Sequence, residues 1–130
     1  MPQLAKGGKW VFGWVFVGDH KSIQIPPYAY EEYGFCEGET VVFTKTSKTS
    51  GGFGIARKEI FDNSILKSTR FLATAVMEKS GRIRLDPQLN ALPGDRYLAV
   101  RGSYLALSFL KQGPIISEAE KHQELEIFLP

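Results

Sequence analysis

Arg82 and Arg84 stand two residues apart, with Ile83 between them and Leu85 following. Successive side chains of a β-strand point to opposite faces, so this spacing buries Ile83 and Leu85 and aims both guanidiniums outward. Lys79 lies just upstream. Two arginines and a lysine on one exposed ribbon can hold phosphates or other anions. An earlier stretch repeats the pattern with weaker groups: Lys21, Ser22 and Gln24 around Ile23 and Ile25. Ser22 and Gln24 can hydrogen-bond but bring no charge. These six polar residues are the first candidate binding set, one suited to a polyanion.

The segment 47–54, SKTSGGFG, is a second candidate. Lys48, Ser50, Gly51 and Gly52 combine a cation, a hydroxyl and permissive backbone, the makings of an anion nest. Arg101-Gly102-Ser103 has similar chemistry later in the chain, so Arg101 and Ser103 join this set. The spacing is not that of a phosphate-binding loop opening a helix, and an ordinary hairpin turn is the stronger reading. No metal is expected: His20 and His122 are isolated and there is one cysteine, Cys36. Glu37 and Glu39 flank that thiol and disfavour its thiolate, which argues against a nucleophile. Asp86 reads as a cap and Asp95 as part of a Pro-Gly-Asp turn rather than as a catalytic pair. No nucleophile–base set and no cofactor motif occurs, so no catalytic residue and no enzyme is expected. Trp10, Phe12, Trp14 and Phe16 alternate and could form a base-stacking face, but valines between them favour a strand buried on both faces. Trp10 is the one expected at the surface.

These residues sit in a chain that states one pattern twice. Residues 21–43 and 79–100 each carry Lys-Ser, a short alternating strand, a proline, a polar stretch, and Gly-acid before an apolar strand. Ile23 and Ile25 match Ile83 and Leu85, Pro27 matches Pro87, and Gly38-Glu39 matches Gly94-Asp95. The second copy is shorter by about one helical turn (roughly 3.6 residues). Two copies are too few for a solenoid. They imply half-domains that cannot bury their own apolar faces and so pair within the chain. The expected layout is a single domain, 1–130: repeat one over 9–56, a connector over 57–71, repeat two over 72–112 and a tail over 113–130. Pro27 opens a short helix ended by Gly34, Asp86-Pro87 begins a clipped helical turn, and Ser117 caps a helix in the tail. Leu125 to Leu129 reads as a final edge strand.

Composition adds little. The 130 residues are 43% hydrophobic and 23% charged, with net charge +2, ordinary for a globular domain. Charge is uneven. Residues 75–112 hold six cations against three carboxylates, whereas 113–130 hold one cation against four. A polyanion would choose the second copy. The longest apolar run, Trp10 to Val17, is far short of the roughly 20 residues that span a bilayer. The stretch MPQLAKGG resembles no signal peptide. A cytoplasmic protein away from membranes is therefore expected.

SGRIRLDPQLNALPGDRYLAVRGSYLAL, with its Gly-Arg-Ile-x-Leu strand, proline and Pro-Gly-Asp turn, resembles the SpoVT/AbrB-like family, which includes the MazE antitoxins and MraZ regulators. SIQIPPYAYEEYGFCEGETVVF fits the same pattern. The resemblance covers residues 15–55 and 75–110. It implies a mainly β fold: a pseudo-twofold, swapped-hairpin β-barrel of two intertwined repeats, with short peripheral helices. It also implies double-stranded DNA as partner, transcription regulation as role, and Lys79, Arg82 and Arg84 at the phosphates and base edges, with Lys21, Ser22 and Gln24 as the weaker mirror; a β-ribbon presenting two arginines fits the major groove. One departure counts against DNA. Many such binders carry an Arg pair on the short helix, where this chain has Tyr30 and Glu31, then Glu32. The alternative is a non-catalytic binding module on the same barrel, with DNA affinity lost, that takes a protein partner or a small anion. A working monomer and a homodimer through an edge strand are both open.

Overall fold

The computed structural model describes residues 10–46, 51–64, 70–102 and 106–130. Among these residues it is mainly β, with three short α-helices whose full extent is described. Copy one supplies β1 (Val11–Phe16), β2 (Ser22–Gln24), α1 (Pro27–Glu32), β3 (Thr40–Lys45) and β4 (Phe53–Arg57), followed by α2 (Lys58–Asp62). Copy two supplies β5 (Phe71–Val76), β6 (Arg82–Arg84), a single 3₁₀ turn at Pro87–Leu89, β7 (Arg96–Arg101) and β8 (Leu107–Leu110). α3 (Pro114–Ala119) and β9 (Ile127–Phe128) complete the chain.

The strand order is β5-β3-β4-β8-β7-β1-β9, with β2 and β6 as a separate two-stranded ribbon. Leaving β9 aside, this order is a palindrome about β4–β8. The first strand of each copy pairs with the third strand of the other copy's hairpin or its equivalent: β1 runs antiparallel to β7, and β5 to β3. β5 and β9 end the sheet, so it is not closed into the expected barrel. The ribbon instead lies beside both β1 and β5.

Hydrogen bonds fix the correspondence between copies. Ile25 N–H donates to Gly81 O at 3.0 Å, and Leu85 N–H donates to Lys21 O at 2.8 Å. Gly38 N–H donates to Met77 O and Gly94 N–H to Val17 O, both at 2.8 Å. Lys21 therefore matches Gly81, and both have positive φ. The Lys-Ser match read from the sequence is out of register by two residues: Lys79 corresponds to Asp19, not to Lys21. The match of Arg82 and Arg84 with Ser22 and Gln24 stands.

One main core draws on both copies. Ile23, Ile25, Phe43, Phe53 and Ile55 meet Ile83, Leu85, Tyr97, Leu107 and Phe109 there. Phe53 stacks on Phe109 and meets Tyr97 edge-on, each at 5.1 Å between ring centres. Offset and edge-to-face contacts of this kind add to the apolar burial. Gly52 crosses the β4–β8 seam so closely that an added Cβ would lie 1.7 Å from Phe109 O.

Two further expectations change. A bulge between Val11 and Gly13 breaks the alternation of β1. Trp10 and Phe12 pack with the main core, while Trp14 and Phe16 turn to an outer cluster with Leu98, Val100 and Ile116. No stacking face exists there, since Phe12 and Trp14 are buried. α3 begins at Pro114 after Gly113, so Ser117 lies inside the helix instead of capping it. Pro114 at the first helical position, where its missing N–H is no loss, is the stronger start signal. α2 and α3 each follow the fourth strand of a copy and cover the outer face of the sheet. α2 and α3 are thus equivalent parts of the two copies.

Candidate nucleic-acid interface

β2 and β6 pair antiparallel with Ile23 opposite Ile83, Ser22 opposite Arg84 and Gln24 opposite Arg82. Both isoleucines are fully buried, so the ribbon is nailed to the core through its centre. The alternation then places Ser22, Gln24, Arg82 and Arg84 on the opposite face. Arg82 and Arg84 are exposed, and neither forms an ion pair among the described residues. Lys79 is exposed in the 3₁₀ turn Lys79–Gly81 that leads into β6, and Lys21 flanks β2. The structure therefore brings the six candidate residues to one ribbon and its two turns.

Their roles differ. The Gln24 amide donates to Ser80 O at 2.7 Å and to Ile25 O at 3.1 Å, so it ties copy one to the copy-two turn. Ser80 holds a left-handed backbone, φ 62°. Such a residue costs energy and needs support of this kind. The free cations are Arg82, Arg84, Lys79 and Lys21, and Asp19, Glu78 and Asp86 stand near them in sequence. Asp86 caps the clipped turn by accepting from Gln88 N–H at 2.9 Å, as expected. Asp95 accepts from Leu92 N–H at 2.9 Å and pairs with Lys111 at 3.2 Å. These bonds, the Leu92 one foremost, hold its carboxyl below the usual range.

The described members of the second candidate set are not brought together. Lys48, Ser50 and Ser103 lie outside the described residues. Gly51 sits against Gln112, at the end of β8, whereas Gly102 sits against Ala106, before β8 begins. Antiparallel pairing of β4 with β8 puts the two turns at opposite ends of the strands, roughly 20 Å apart. Arg101 is also engaged. Its Nε lies 2.8 Å from Glu32 Oε2, its other arm reaches Glu32 Oε1, and its guanidinium lies 5.2 Å from the Trp10 ring centre. It serves α1, not an anion.

Sequence reasoning missed this pairing, whose partners are 69 residues apart. It bears on the ribbon, because Glu32 is neutralised. Glu31 remains exposed and shares a cleft with Gln24, Ile25, Tyr30, Phe35 and Ser80. A carboxylate there repels phosphate approaching from copy one.

The acids of the tail are largely committed to holding it down. Glu120 pairs with Arg96 at 2.9 Å, and Arg96 lies 3.8 Å above the Trp14 ring. Glu124 meets His122 Nδ1 at 2.8 Å, and Glu118 approaches its Nε2. The Glu124 bond, then Glu118, raise the imidazole above its ordinary range, and His122 holds Glu124 below the usual carboxylate range. A raised histidine stabilises fully below its unfolded value, near 6.5, and that help fades as pH climbs through the folded value. Glu124 contributes above its unfolded value and loses this as pH falls through the folded one. Amide protection over residues 118–128, corrected for the intrinsic pH dependence of exchange, is thus expected to be greatest near pH 6 and to fall toward pH 8 and below the carboxylate range. A flat profile from pH 6 to 8 contradicts it.

No family model matches the chain, and no curated protein is similar to it. Among the described residues no group of three or more His, Cys, Asp or Glu could hold a metal ion, and no helix is long and apolar enough to cross a membrane.

Proposed function

We propose that this protein is a DNA-binding transcriptional regulator of SpoVT/AbrB type that docks duplex DNA with the β2–β6 ribbon. One observation carries the reading: the ribbon's apolar side chains are fully buried while Arg82 and Arg84 stand exposed and unpaired on its other face. That arrangement holds two cations on a rigid element, which lowers the ordering cost of gripping phosphate. The fold half of the reading, a swapped-hairpin barrel, is supported by the crosswise pairing of β1 with β7 and β5 with β3. In this reading the ribbon, which lies beside β1 and β5, is the element that spans the gap between the ends of the sheet. Affinity is expected to be modest, since about four cations face the duplex and each neutralised phosphate adds only about 0.9 to the salt slope.

The test is a gel shift of the parent protein with mixed-sequence duplex at about 50 mM salt, where phosphate contacts are strongest. Retardation that fades as salt is raised is the expected result. No shift of any duplex ends the proposal. The second reading, a non-catalytic binding module without DNA affinity, is favoured by exposed Glu31 beside the ribbon. Its small-anion form is weakened by the Arg101–Glu32 pair, and its acidic-tail form by the ion pairs within the tail.

A further inference from the structure

Two glycines of copy one stand where copy two carries side chains. Gly18 N–H donates to Ser22 O at 2.9 Å as Glu78 N–H donates to Arg82 O at 2.8 Å, so Gly18 matches Glu78. Gly13 pairs with Ala99 as Ala73 pairs with Phe43, so Gly13 matches Ala73. Both glycines lie against the segment 126–130, which enters as β9 and runs parallel to β1. A Cβ on Gly13 would lie 2.6 Å from Glu126 O and 2.8 Å from the Phe128 ring. A Cβ on Gly18 would lie 2.7 Å from Pro130 Cβ and 2.9 Å from its Cγ. Side chains like those of Ala73 and Glu78 would push the segment away, whereas glycine lets another backbone approach. Copy one thus offers this segment a seat at two separate points.

The seat is shallow. β9 pairs through two residues, Trp14 with Ile127 and Val15 with Phe128. Glu126 O accepts from Trp14 N–H at 2.8 Å. Phe128 is the inward anchor, half-buried against the main core, whereas Ile127 and Leu129 are 58% and 68% exposed. A segment with so little pairing and burial opens more readily than the sheet beside it. Its Pro130 end rests on the turn that leads into β2. Gly18 O accepts there from Lys21 N–H at 2.9 Å, and Lys21 O accepts from Leu85 N–H at 2.8 Å. Lys21 holds a left-handed backbone, φ 58°, which persists only where its surroundings fix it. Contact therefore runs from Pro130 through Gly18 and Lys21 to Leu85, just after β6. We infer that residues 126–130 are a releasable strap that braces the 18–21 turn, so that lifting the strap loosens the copy-one end of the β2–β6 ribbon. The inference stands apart from the DNA reading: it concerns the rigidity of the ribbon, and its test contains no nucleic acid.

Residue-resolved amide hydrogen exchange of the full chain tests it. Phe128→Ala removes the anchor without touching the turn. It is expected to speed exchange about tenfold at Trp14, which reports the strap, and at Gly18 and Lys21, which report the turn, while the amides of β3 keep their rates. Leu129→Ala, at an exposed site, is expected to change none of these. Gly18→Ala acts from the other end. Its backbone lies outside the left-handed region, so the clash with Pro130 is the main change. Coupling is reciprocal, so Gly18→Ala is expected to speed exchange at Trp14 about tenfold, and Pro130→Gly added to it to restore the parent rate. Turn amides that stay protected in Phe128→Ala while Trp14 loses protection overturn the inference. So does a Trp14 amide that neither variant alters. Equal acceleration in β3 means one global opening without a separate strap, and overturns it too.

Discussion

Arg82→Ala with Arg84→Ala is expected to reduce the salt slope of duplex binding by about 1.8, since each lost phosphate contact removes about 0.9. Affinity at low salt is expected to fall by roughly one to two orders of magnitude, because hydrogen bonds to charged groups are the stronger kind. The fold is not expected to suffer. Both side chains are exposed and make no ion pair among the described residues, so their truncation orphans nothing. Unchanged circular dichroism and thermal midpoint would separate this loss from unfolding. Lys79→Ala, on the turn beside β6, is expected to cost about one slope unit less than the double variant. An unaltered slope in the double variant means that the ribbon does not face the phosphates.

Phe53→Ala is expected to destabilise by about 3–5 kcal/mol, the usual cost of emptying a buried aromatic site. The position makes collapse difficult. Phe53 touches Phe43 from its own copy, at 5.9 Å, and Tyr97 and Phe109 from the other, both at 5.1 Å. It stands where β4 meets β8, the central one of the three places where strands of the two copies pair in the sheet. For a chain of this size the midpoint should drop by roughly 10–20 °C. Because one core serves both copies, tryptophan fluorescence, which reports on β1, and far-ultraviolet circular dichroism should lose their signals together. Separate transitions would mean that the copies hold their own cores.

The ribbon was legible because its signal is local. Ile23, Ile25, Ile83 and Leu85 alternate with polar residues, and the repeat told which strands correspond. The bulge in β1 was not recognised, although Gly13 in a strand is a sign of one. Four aromatics at alternate positions suggested a single face that the extra residue divides. Ser117 is a good capping residue in sequence, but the helix starts three residues earlier, at Pro114. The Lys-Ser coincidence misled because it lies in turns of equal chemistry, where hydrogen bonding and not composition sets the register. The likeness of the two glycine-bearing turns did not carry their separation: Gly51 and Gly102 fall at opposite ends of paired strands. The Arg101–Glu32 pair is a contact between the β7 end and α1 that no window of sequence contains.

The most direct test of the ribbon's role is an amide chemical-shift titration of the isotope-labelled protein with duplex DNA at low salt. The account predicts the largest shifts at Ser22, Gln24, Lys79, Arg82 and Arg84, fading as salt is raised. No shifts on adding duplex, or shifts centred on α3 and β9 while the ribbon stays still, would contradict it.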